Sequence, residues 1–156
     1  MNPPARAVVT HRFTASAERV FDAWLDPHWV GRWMYGPAVR DERIVRLGLE
    51  PRVGGRFSFV VDRQGLEVDH VGEYLELDRP QLLVFTWGTR ASLPDASRVV
   101  VEIAPRADGG CDLTLTHIMG AAWVNYADKV AASWRRMLGA LDGVLSDKIP
   151  TQPVPV

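Results

Sequence analysis

The chain carries a single cysteine, Cys111, so no intrachain disulfide can form. A small fold without that staple depends on a hydrophobic core. Charge of one sign is missing too: 18 basic and 19 acidic residues leave a formal net charge of −1. No cationic excess exists to neutralise phosphates, so nucleic-acid binding is not expected. No apolar run reaches the roughly 18 residues of a membrane span, and Met1 to Thr10 lacks the apolar stretch of a secretory signal. With the lone thiol, these absences predict a cytoplasmic protein with no membrane association. Metal-ligand spacing is absent as well. His11, His28, His70 and His117 are scattered and no Cys-x-x-Cys accompanies them, so neither a metal nor a cofactor is expected.

What is present is ordinary globular material, 156 residues with 47% apolar and 24% charged side chains. That length suits one domain burying about 68–70% of its unfolded surface. Residues 5–147 are read as that domain and residues 148–156, with Pro150, Pro153 and Pro155, as an extended Pro-rich tail.

The pattern along the chain changes period twice. Ala5 to Phe13 reads as a strand. Ser16 can cap a short helix over 17–25, in which Val20, Phe21, Trp24 and Leu25 recur at helical spacing. Asp26-Pro27 supplies a cap and a first-turn proline for a second helix over 27–33, which Gly36-Pro37 ends. Alternation then takes over, with strands at 43–49, 56–61, 67–77, 81–87, 98–104 and 111–117. Gln64-Gly65 and Asp108-Gly109-Gly110 mark turns between them, and Gly72 marks a bulge. Residues 88–96 form a loop, and a long amphipathic helix over about 124–147 closes the chain.

Consecutive strands on short turns make an antiparallel sheet. The predicted fold is therefore α+β: a curved antiparallel sheet of about six or seven strands, wrapped around the C-terminal helix, with two short helices after the first strand. A curved sheet and a straight helix seldom meet along their whole length, and the expected gap is a pocket.

Several segments resemble the START-like, or SRPBCC, superfamily. Within it they resemble bacterial proteins similar to the C-terminal domain of the activator of heat-shock-protein-90 ATPase. They are Ala15 to Trp24, Asp26-Pro27, Arg32-Trp33, Val53 to Phe57, His70 to Tyr74, Leu82 to Trp87, Leu113 to His117 and the last helix around Trp134. The resemblance runs from about residue 5 to 147 and implies the helix-grip fold with a ligand-capable cavity. Two departures bear on the pocket mouth: Ser133 stands where the family pattern often has glycine, and the loop from Met119 to Asn125 is short. The resemblance implies no reaction, because this fold hosts binders, cyclases and cochaperones alike.

Trp33 and Met34 would lid the sheet, with Trp134 and Met137 opposite them on the long helix. Phe57, Phe59, Phe85 and Trp87 have the sheet parity to line the same space, as do His70, Tyr74 and His117. Aromatic rings and thioethers suit an apolar ligand, and burying about 300 Å² of it would gain roughly 7 kcal/mol before association costs. The leading expectation is non-enzymatic binding of a small apolar ligand, with a stress-related regulatory role. One alternative is a cyclase- or aromatase-like enzyme using His70, His117 or Tyr74 as acid and base. The other, implied by the resemblance alone, is a cochaperone that stimulates a heat-shock ATPase. The expected partners are thus a small apolar ligand and a chaperone or other protein; monomer and homodimer are both left open.

Overall fold

The computed structural model describes residues 3–37, 39, 40 and 42–146; the Pro-rich tail lies outside the described residues. Strand β1 (Ala5–Phe13) precedes helices α1 (Ala17–Asp22) and α2 (Pro27–Trp33). Six more strands follow: β2 (Arg43–Leu49), β3 (Arg56–Arg63), β4 (Leu66–Asp78), β5 (Leu82–Thr89), β6 (Ser97–Pro105) and β7 (Cys111–Met119). Helix α3 (Ala127–Leu145) ends the described chain.

Both short helices are capped as their sequences require. Ser16 Oγ accepts from the Arg19 amide at 3.2 Å and Asp26 Oδ1 from the His28 amide at 3.0 Å, with Pro27 opening α2. Helix α1 stops at Asp22, three residues short of the expected end. Asp26 must take extended backbone to cap α2 and precede a proline, so Trp24 and Leu25 spend their amides on tight turns to the Phe21 and Asp22 carbonyls instead. The last helix starts later than expected, because residues Ala121–Tyr126 wind as a 3-10 turn. The periodicity that defines the apolar stripe begins only at Ala127 and Ala131.

All seven strands pair antiparallel in the order β1-β7-β6-β5-β4-β3-β2. Only β1 leaves sequence order, returning to pair along β7 from Ala5 opposite Met119 to Phe13 opposite Cys111. The bulge expected at Gly72 lies further on, between Tyr74 and Glu76. Gly72 serves another purpose: a Cβ there would run into the Thr86 carbonyl and the Phe57 ring, so glycine is what lets that ring lie flat on the sheet.

One sheet face is mainly apolar, with His70 and His117 its buried polar groups. Val9, Leu113, Leu115, Val99, Val101, Phe85 and Phe59 are all buried, and Ala131, Trp134, Met137, Leu138, Leu141 and Leu145 on α3 meet that face. The helix backbone runs close along β1 and α2 and stands off from β3, β4 and β5. Ala5 and Ala7 allow the close approach. On the far side the wedge between helix and sheet is left to large side chains. This is the helix-grip architecture, an α+β fold with a curved antiparallel sheet and a long C-terminal helix.

Candidate functional site

The wedge is filled by rings. Phe57 and Phe59 stack at 4.7 Å, and Phe57 also packs on Tyr74, Phe85 and Trp87 at 5.6–5.8 Å. From the helical side Trp24 meets Trp33 at 4.6 Å and Trp134 at 6.0 Å. A void of about 10 Å³ remains among them, bordered by Trp24, Met34, Phe57, Phe59, Tyr74, Leu83, Phe85 and Trp87. That is room for about one water. The open gap expected from the sequence is therefore closed in this state: the backbone wedge exists, and aromatic side chains occupy it.

Six of the eleven candidate residues, Met34, Phe57, Phe59, Tyr74, Phe85 and Trp87, border this void. The other five, Trp33, His70, His117, Trp134 and Met137, are buried around it without bordering it. Two lining residues were missed. Leu83 shares strand parity with Phe85 and Trp87, a signal that was available. Trp24 sits at helical spacing with Val20 and Phe21, which reads as plain core; nothing local says its ring reaches over to β5.

The polar groups do not converge. Trp134 Nε1 donates to His117 Nδ1 at 3.0 Å, so the His117 proton sits on Nε2 and is donated to Ser97 Oγ at 2.6 Å. Ser97 in turn donates to the Trp87 carbonyl at 2.9 Å. Both imidazole nitrogens are thus committed to the fold, and burial lowers His117 to about 4. His70 stacks on Trp87 at 5.3 Å with Nδ1 3.3 Å from the Phe59 carbonyl, and burial lowers its proton affinity as well. Burial raises the Tyr74 hydroxyl, which keeps its proton. Among the described residues no hydrogen bond joins His70, His117 and Tyr74 to one another, so the acid–base pair of the enzyme reading is not assembled.

A larger hollow of about 530 Å³ is open to water and also has Phe57 in its wall. Arg46, Arg56, Arg90, Glu50 and Glu73 line it. Open to water, it gives an apolar ligand no dry site. Among the described residues no three His, Cys, Asp or Glu side chains gather as a metal site, and no helix is long and apolar enough to cross a membrane.

A helix-grip domain with an aromatic wedge belongs to the START-like class of proteins. Residues 14–146 match the family described as activator of Hsp90 ATPase homolog 1-like protein, and the chain belongs to that family. Solved structures share the fold across nearly the whole chain. A Chromobacterium violaceum protein is 22% identical with a TM-score of 0.73, covering 90% of this chain and 96% of its own. A Nitrosomonas europaea protein is 16% identical with a TM-score of 0.77, covering 92% and 96%. An Hsp90 activator from Plasmodium falciparum is 23% identical with a TM-score of 0.70, covering 91% and 96%. Among curated proteins no relative matches.

Proposed function

We propose that the protein binds a small, mainly apolar ring compound in the wedge between α3 and strands β3–β5, without turning it over. The observation that supports this reading is the small void among Trp24, Met34 and six sheet side chains, where the helix backbone stands off from the sheet. Met34 has an adaptable, unbranched side chain, and Trp87 is only half-buried. Burying about 300 Å² of ligand gains roughly 7 kcal/mol gross, which must offset the displaced ring contacts and the cost of association. A thermal-shift series with neutral ring compounds tests this, on wild type and on Phe57→Ala. Binding raises the melting temperature, more in the variant, where space has been made. No shift in either protein would end the proposal.

A second reading has its own support. Trp123, Val124 and Tyr126 are exposed on the 3-10 turn before α3, with the Trp123 and Tyr126 rings edge to face at 5.5 Å. Exposed aromatics of this kind mark protein docking surfaces. With the family's description, they favour a stress-related cochaperone that contacts an Hsp90-type ATPase. Measuring that ATPase with wild-type protein and with Trp123→Ala/Tyr126→Ala decides it. Stimulation lost in the double variant supports the reading, and no stimulation by wild type removes it.

A further inference from the structure

Three indoles meet in the core, and their N–H groups fare differently. Trp33 Nε1 donates to the Ala23 carbonyl at 3.0 Å and Trp134 Nε1 to His117 at 3.0 Å. Trp24 Nε1 is fully buried and donates to nothing among the described residues, although Trp24 packs against both of the others. A buried donor without an acceptor is costly, and native cores rarely keep one without a reason. Trp24 is only 4% exposed and borders the void.

The rest of the lining limits what would satisfy that donor. Among the described residues no charged side chain borders the void. Met34, Phe57, Phe59, Leu83 and Phe85 offer no strong acceptor, and Tyr74 keeps its proton and so can both donate and accept. A cation or a donor-only ligand could rest against the rings or the Tyr74 oxygen but would leave the Trp24 N–H unpaired, and an anion would find no counter-charge. Tyr35 Oη is also buried without a partner, but Tyr35 does not border the void. A neutral molecule with an acceptor oxygen would pair the Trp24 N–H beside it.

We infer that Trp24 Nε1 is a hydrogen-bond donor to bound ligand, and that the ligand class is a neutral ring compound carrying a carbonyl or ether oxygen. This rests on the ligand-binding reading above and adds a chemical requirement to it.

A matched pair of probes tests the requirement: α-tetralone, a bicyclic ketone, and tetralin, the hydrocarbon of the same shape. Apolar transfer alone favours tetralin, so a preference for the ketone reports the hydrogen bond. Calorimetric titration of wild-type protein is expected to show α-tetralone bound about tenfold more tightly. In Trp24→Phe the preference is expected to fall to about parity or below. The indole proton resonance of Trp24 in wild type gives a second measurement that requires no variant. It shifts on adding the ketone in the manner of a new hydrogen bond, and tetralin leaves it without that shift. Equal or tighter binding of tetralin to wild type, or a ketone preference that survives Trp24→Phe, overturns the inference while leaving the ligand-binding reading intact. Failure of both probes to bind overturns both.

Discussion

At the scale of single residues, His117 shows how a polar group is afforded inside an apolar core. Its two nitrogens are matched by the Trp134 N–H and the Ser97 hydroxyl, and burial keeps it neutral with a value of about 4. The unfolded chain holds a histidine near 6.5 and therefore binds more protons between those two values. Stability is then complete above about pH 6.5 and is lost as the pH falls toward 4, by about 2 kcal/mol at pH 5 from this residue alone. Urea midpoints at neutral pH and at about pH 5 check this. His117→Gln should shrink the difference without abolishing it, since buried His70 acts in the same direction; an unchanged difference contradicts the assignment. Gly72 is a second residue with a sharp expectation. Its Cβ would meet the Thr86 backbone and the Phe57 ring, so Gly72→Ala should cost about 2 kcal/mol in urea unfolding. None of these partners is adjacent in sequence. His117 could be given an inward parity from its strand, but Ser97 and Trp134 come from other elements, and pairing them is a tertiary event.

At the scale of elements, helix α3 separates two kinds of position side by side. Leu138 is fully buried on the sheet-facing stripe, and Leu138→Ala should cost about 2–5 kcal/mol. Gly139, one residue on, faces solvent with no atom within reach of an added Cβ, so Gly139→Ala should stabilise by about 1 kcal/mol through helix propensity. Chemical denaturation of the two variants gives opposite signs if the stripe is assigned correctly. Elements of this kind were legible because burial imposes a period. The seven strands lie within about two residues of their expected ends, and α2 spans the expected 27–33. The misses fall where local chemistry competes with period. The last helix is expected from about residue 124, yet the chain winds over Ala121–Tyr126 as a 3-10 turn and leaves Trp123 and Tyr126 exposed.

At the scale of the whole molecule, one continuous core holds both helix and sheet, and Cys111 lies within it. The thiol is fully buried, its Sγ 3.5 Å from the Ala15 carbonyl, and burial raises it to about 11. It should resist a thiol reagent in the native protein. Labelling should proceed at the rate set by global opening, matching the unfolding equilibrium measured with urea. Rapid labelling, as of a free cysteine, would mean that the β1–β7 end opens separately. The same continuity explains why the wedge is closed. The helix grips the β1 side through small alanines, and the residual volume on the β3–β5 side is taken by rings that can reach across it.

The amino-acid sequence by itself determined the order and type of the elements, the antiparallel sheet and most of the rings in the wedge, because alternation and helical period are local records of which face is buried. The size of the void, the commitment of His117 to Trp134 and Ser97, and the placing of Trp24 over β5 were decided only in three dimensions. They depend on how side chains from distant segments fill one shared volume, and no periodicity along the chain encodes that sum.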